Sequence, residues 1–297
     1  MINYLILALS TMMTSGKALF CKAIGTGKYS RKETAVLNFK AFFVAFICAV
    51  IFVIGRLGDI LTVSSFSLVM AIFFGLSVAL TQIMQAKALG NGSSSIVTLI
   101  YSCGFLVPIF YGLIFWGEEV SIYQWLGVAL ILASLTLIVF KTEKSSAILT
   151  WLPFAILAML GSGINAIFQK THQYSEFADE LPFFLVFALL FSTLFTGAAS
   201  LVISGKGGSP AQLTKKQRMM KNIVIPICLG ICVGMLNFLN LSLSGRLPSV
   251  ILFPVSNIGG LILTSVISGI IYKDKPTKRQ LVGLITGVIA ILMVGIL

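Results

Sequence analysis

Apolar runs long enough to cross a membrane recur along this chain, separated by short polar, glycine-rich or basic segments. A helix needs about 20 apolar residues to span a bilayer. The stretches that qualify are 2–24, 34–55, 66–87, 94–116, 122–140, 148–169, 181–203, 222–243, 249–272 and 279–297. Lys17 interrupts the first of them. The longest break, Ser204 to Lys221, reads GKGGSP and then TKKQRMMK, a polar and basic surface loop. The pattern predicts an all-α polytopic membrane protein with ten transmembrane helices.

The apolar pattern also repeats. Sliding Gly75–Ser95 (GLSVALTQIMQAKALGNGSSS) along the chain by 155 positions lays it on Gly230–Val250 (GICVGMLNFLNLSLSGRLPSV). Gly75 then falls on Gly230, Val78 on Val233, Gly90 on Gly245 and Ser94 on Ser249. Gln82 and Gln85 fall on Asn237 and Asn240, so each half carries two carboxamides at i and i+3 on one helix face. Gly104 and Ser102 match Gly259 and Asn257, and Ser15–Lys22 resembles Ser162–Lys170 with one insertion. Two five-helix units follow, residues 1–146 and 147–297. Because five is odd, the second copy enters from the opposite side, and the halves form an inverted repeat about an axis in the membrane plane.

Composition agrees with this picture. The chain is 58% hydrophobic and 10% charged, against about 25% charged in soluble domains. Its net charge of +12 sits in short loops between apolar runs, as topology signals do, so nucleic acid is not an expected partner. Lys28, Arg31, Lys32, Lys87, Lys141, Lys144, the basic residues of the 206–221 loop and Lys273, Lys275, Lys278 and Arg279 share one side. Arg56, Lys170 and Arg246 lie on the other. The richer side belongs in the cytoplasm, which puts both termini outside. The first residues, MINYLILALS, lack a charged leader region and read as a retained first helix. The expected location is a plasma membrane, of the bacterial cytoplasmic kind, with the protein a monomer or homodimer. All five cysteines lie in apolar runs without metal-ligand spacing and read as small buried hydrophobes.

A carboxamide in hydrocarbon needs a partner. Gln82, Gln85, Asn237 and Asn240 therefore either line a polar cavity or bind neighbouring helices together. Their matched placement favours the cavity, since inverted repeats put substrate at their interface. Lys40, inside an apolar run, would attract a carboxylate or phosphate; alternatively it snorkels to the interface. The same alternatives hold for Lys17. Tyr101, Ser102 and Asn257 are further polar positions in helices four and nine, and Asn165, Thr14 and Thr98 are weaker ones. Glu118-Glu119 reads as a structural pair at a helix junction, and His172 as a solvated residue at the end of helix six. All nine acidic residues fall in loops or at helix ends, which argues against proton-driven export of cationic drugs. Neither a catalytic set nor a metal cluster nor a nucleotide fingerprint is evident, so no enzyme activity and no cofactor is expected.

Gly117-Glu118, Gly127 with Leu130-Ile131, Gly16, Lys40 and Pro108, taken in order with the repeat, resemble the EamA-type transporters of the drug/metabolite transporter superfamily. The resemblance covers nearly the whole chain and implies a ten-helix carrier with a central cavity between its halves. Two departures stand out. The family usually has its basic loop after helix two, whereas here it precedes that helix, and the family is usually drawn with cytoplasmic termini. The expectation is a secondary carrier of a small polar metabolite, an amino acid or organic anion before a cationic drug, working by alternating access. Its site would hold Gln82, Gln85, Asn237, Asn240, Lys40, Tyr101, Ser102, Asn257 and Asn165. The alternatives are a flippase for lipids or lipid-linked sugars and a membrane partner subunit that transports nothing.

Overall fold

The computed structural model describes residues 2–25, 31–55, 63–91, 97, 100–139, 148–203, 219–272 and 278–296. Among them there are ten principal helices and no strand. The first five are α1 (Ile2–Gly25), α2 (Arg31–Val53), α3 (Ser65–Asn91), α4 (Leu106–Phe115) and α5 (Ile122–Val139). The second five are α6 (Ile148–Gln173), α7 (Leu181–Val202), α8 (Ile225–Ser244), α9 (Ser249–Tyr272) and α10 (Lys278–Ile296). The stretches expected at Ser204–Lys221 and Gly90–Ser95, with Thr98, lie largely or wholly outside the described residues.

Two irregular turns each precede a helix that carries a proline in its first turn. A proline has no N–H to give to the carbonyl four residues back. Pro108 leaves the Gly104 carbonyl without that bond, and the chain tightens into a 3-10 turn over Cys103–Phe105 before α4. Pro226 does the same to the Asn222 carbonyl, and there the chain loosens into a π turn over Met220–Val224 before α8.

Helices of the two halves interleave. α3 packs on α6 and α7, α8 packs on α1 and α2, α2 packs on α7, and α5 packs on α10. Among the described residues the two largest apolar cores each draw on both halves, and a smaller third one gathers Ala88, Val97, Trp151 and Ala155. The first joins Leu37, Phe42 and Phe74 to Phe184, Leu189 and Leu229 across α2, α3, α7 and α8. The second joins Ile109, Ile131 and Leu135 to Leu252, Ile258 and Ala290 across α4, α5, α9 and α10. Small residues permit close crossings: the Ser134 hydroxyl donates to the Gly283 carbonyl at 2.7 Å where α5 meets α10.

Polarity is arranged for lipid. Large apolar side chains such as Phe52, Phe73, Ile114, Leu201 and Ile285 face outward, while Ser10, Ser67, Gln82, Lys170 and His172 are buried. Six helices are long and apolar enough to cross a membrane, within α1, α2, α3, α6, α7 and α8. Four further apolar segments are shorter: Ile100–Phe115, Ile122–Leu137, Ser249–Thr264 and Leu281–Val294. The protein is a helical membrane protein.

Candidate functional site

The carboxamides divide into two kinds. Asn240 accepts a hydrogen bond from the Ser10 hydroxyl at 2.5 Å, and Ser10 in turn meets Ser256 at 3.0 Å. Thr14 reaches Ser256 at 3.2 Å, so α1, α8 and α9 are joined by one hydroxyl–amide network. Asn237 accepts from the Gln169 amide at 3.0 Å and donates to the Val233 carbonyl at 2.9 Å. Both asparagines are thus engaged in holding helices together.

The first half is different. Gln82 is buried and donates to the Cys21 sulfur at 3.3 Å and the Asn38 side-chain oxygen at 3.4 Å. Gln85, three residues on, has a buried side-chain oxygen that accepts no hydrogen bond. Asn165 donates to the Thr81 hydroxyl at 3.3 Å, and its own side-chain oxygen is buried and unpaired as well. Leaving a buried acceptor unpaired costs about 1–3 kcal/mol. Both oxygens belong to the α3–α6 crossing, where Thr81 links the two helices.

Lys17 projects from α1 one turn before Cys21, and its ammonium lies 5.9 Å from the centre of the Tyr101 ring. Tyr101 and Lys17 are half-buried, and Ser102 is buried at 5% exposure. Asn257 is half-buried on α9. Lys40 lies apart from this cluster. Its ammonium donates to the Asn222 carbonyl at 3.3 Å, the one that Pro226 leaves without its helical partner. That contact gives Lys40 a structural task at the start of α8.

A second polar constellation lies where the α4–α5 junction meets α6 and the start of α9, and here two sequence expectations need correcting. Lys170, placed by its neighbours in a sparse loop, is inside α6 with no exposed surface. Its ammonium forms an ion pair with Glu118 and donates to the Ser249 hydroxyl at 2.9 Å and the Leu247 carbonyl at 3.2 Å. Rings of Trp116 and Tyr174 flank it at 5.4 Å and 5.5 Å. Glu118 also accepts from the Ser249 backbone N–H at 2.9 Å, in the first turn of α9, where the helix dipole favours a carboxylate. Two glycines allow this. Gly117 takes φ +62°, turning the chain back after α4. A Cβ at Gly112 would lie 2.5 Å from the Glu118 carboxylate. Burial and then the nearby Glu118 carboxylate raise the Tyr174 hydroxyl above its ordinary value.

His172, expected in solvent, is fully buried. Its Nε2 meets the Ser67 hydroxyl at 3.0 Å, and its ring stacks on Phe184 at 4.1 Å. Glu180 nearby accepts from the Ser64 hydroxyl at 2.7 Å and its N–H at 3.0 Å. Both corrections share a reason. Residues at the end of an apolar helix are buried or solvated according to which other elements pack there, and those elements lie far away in sequence. The only available signal was that Lys170 and His172 continue the α6 helix beyond its apolar run. Among the described residues no three His, Cys, Asp or Glu side chains gather as a metal site.

No family model matches the chain, and no curated protein matches it. Among solved structures 28 chains match. One, a crystal structure described as "Crystal structure of protein", superposes with a TM-score of 0.77 at 12% identity, covering 98% of this chain and 95% of the other. At that identity the likeness is one of fold: the full helical architecture is shared with a solved protein.

Proposed function

We propose that the protein is a secondary transporter of a small polar metabolite, an amino acid or organic anion. It would work by alternating access between two inverted five-helix halves that together cross the membrane ten times. The observation that carries this reading is the pairing of helices. Exchanging the halves turns the α3–α6 contact into α8–α1 and the α3–α7 contact into α8–α2. It returns α2–α7 and α5–α10 to themselves. Such a set is expected of two copies of one unit related by a two-fold axis, and five crossings per copy would give them opposite orientations. The same reading agrees with the EamA-type resemblance of the sequence.

Alternating access needs one end shut while the other opens. The Glu118–Lys170 pair supports a closed end here, because it ties the α4–α5 junction of one half to α6 and the start of α9 in the other. On the charge distribution of the loops that end faces outward. Single cysteines placed at Glu119 and Lys278, both exposed, test the orientation: an impermeant maleimide added to intact cells is expected to label the first and spare the second. The reverse labelling would invert the assignment of sides.

The function is tested by counterflow into liposomes containing the purified protein. The panel holds amino acids, organic acids, sugar phosphates, cationic drugs and lipid head groups. Uptake of an amino acid or organic acid is the expected result. Gln85→Leu is expected to lower that uptake at least tenfold while the protein stays folded, whereas Asn240→Leu is expected to act mainly on thermal stability. Movement of fluorescent lipid with no solute uptake would replace the carrier reading with a flippase. Activity toward no solute and no lipid would replace it with a partner subunit.

A further inference from the structure

We propose that Lys17 is the anchor for the acidic group of the transported compound, and that Gln85 and Asn165 accept its hydrogen-bond donors. The ligand is then a small carboxylic acid that also carries N–H or O–H groups. This deepens the carrier reading above and rests on it.

Lys17 lies in the last third of α1, four residues before the end of a membrane-crossing segment. A lysine at such depth is expensive unless it meets an anion. The buried Lys170 has Glu118 as its partner, and Lys40 donates to the Asn222 carbonyl at an exposed position. Lys17 has the Tyr101 side chain and the Cys21 thiol one turn away, and among the described residues no carboxylate faces it. Tyr101 offers both its ring face and a hydrogen bond from its side chain, which offset part of the desolvation of an ammonium, but a neutral phenol is no counter-ion.

The second observation is independent. Two carboxamide oxygens, on Gln85 and Asn165, are buried without donors. If either amide were turned over, an unpaired N–H₂ would replace the unpaired oxygen, but Asn165 would then lose its bond to Thr81. Contacts connect these groups to Lys17. Cys21 follows Lys17 by one turn and receives Gln82; Thr81, next to Gln82, receives Asn165; Gln85 follows Thr81 by one turn. A cation without an anion and two acceptors without donors therefore flank the Cys21–Gln82 contact on α1, α3 and α6. One molecule bearing a carboxylate at one end and donors at the other would satisfy all three. A simple fatty acid would leave the two oxygens unpaired, and an amine without a carboxylate would leave Lys17 unpaired. The matched carboxamides of the second half are already occupied by Ser10 and Gln169, so the matched positions are not used alike.

The test uses the full-length purified protein and matched probes, with binding read by calorimetry and by thermal shift. The probes are the twenty L-amino acids, the amine obtained by removing the carboxylate from the best of them, and the acid obtained by removing its ammonium. Wild type is expected to bind at least one amino acid, and to bind its decarboxylated amine at least tenfold more weakly. Lys17→Met is expected to raise Kd for the amino acid at least tenfold, with Lys17→Arg recovering part of the loss. Gln85→Leu is expected to weaken the amino acid but not the deaminated acid. The unliganded melting temperature of Lys17→Met reports folding separately, and it is expected to equal or exceed that of wild type because an uncompensated charge is gone.

Unchanged affinity in Lys17→Met would overturn the assignment of the lysine while leaving transport standing. Equal binding of acid and amine by wild type, or binding of none of these probes, would overturn the ligand class. Counterflow by the wild-type protein separates these failures from failure of the carrier reading: binding that survives without any counterflow removes transport and keeps the site.

Discussion

Replacing Glu118 with alanine will lower the stability of the folded protein by about 3–5 kcal/mol, because it leaves a buried ammonium without its anion. Lys170 has no exposed surface, so it cannot recover that interaction from water. Its remaining partners, the Ser249 hydroxyl and the Leu247 carbonyl, are neutral. The Ser249 N–H at the start of α9 would also lose its acceptor, adding an unsatisfied donor of about 1–3 kcal/mol if water does not replace it. Lys170→Met is expected to cost less, since the Glu118 carboxylate keeps the Ser249 N–H and lies at a helix N-terminus. The combination Glu118→Gln with Lys170→Met is expected to regain most of the loss: the new amide oxygen would still accept from the Ser249 N–H, and no charge remains buried. Thermal unfolding of the four proteins in one detergent checks the order, in which the double variant must exceed Glu118→Ala. Equal melting points for wild type and Glu118→Ala would mean that the pair is solvated and that this end of the bundle is open to water.

The fold and the polar contacts differ in how far the chain alone announces them. Helix positions were legible because a lipid-facing helix must be apolar nearly all round, and the runs at 34–55, 66–87 and 181–203 overlap α2, α3 and α7 closely. The repeat proposed above rests on a related contrast. Glycines at close crossings and polar residues in hydrocarbon are few, so their spacing stands out. The polar pairings were not legible. Glu118 and Lys170 are 52 positions apart, and nothing local distinguishes a glutamate that turns back into the bundle from one that points to solvent. Gly117 with its positive φ is what turns it, but a glycine near a helix end has many other uses. Lys40 drew notice because a cation in an apolar run is rare; its contact with the Asn222 carbonyl depends on Pro226, in the other half of the chain. The carboxamides stood out as a set, yet their split into bonded and unpaired members depends on hydroxyls of α1 and amides of α6 that no periodicity could assign.

Gly75→Ala and Gly230→Ala are expected to damage the fold to a similar degree, and this pair of substitutions tests the repeat in three dimensions. A Cβ at Gly75 would stand 2.5 Å from the Ala188 carbonyl oxygen and 2.9 Å from Phe191 Cβ on α7. One at Gly230 would collide with the Ala41 carbonyl and stand 2.6 Å from Val44 Cβ on α2. In each case the obstacle is backbone, which cannot rotate away as the end of a flexible side chain would. Alanine gains about 1 kcal/mol of helix propensity over glycine, so the sign is decided by whether the helices can separate. Overpacking of a tight interface costs about 1–3 kcal/mol, and here a helix must shift against a packed apolar core. The net loss is expected at both sites, seen as a lower melting temperature and a smaller yield of monodisperse protein. Gly55→Ala is the control, since a Cβ there meets nothing within 4 Å; it should leave both measures unchanged. The crossings α3–α7 and α8–α2 are exchanged when the halves are exchanged, so equal losses at Gly75 and Gly230 are what two copies of one unit require. A loss at one site with none at the other would show that the matched glycines no longer serve matched interfaces, and the inverted-repeat reading would lose its strongest structural support.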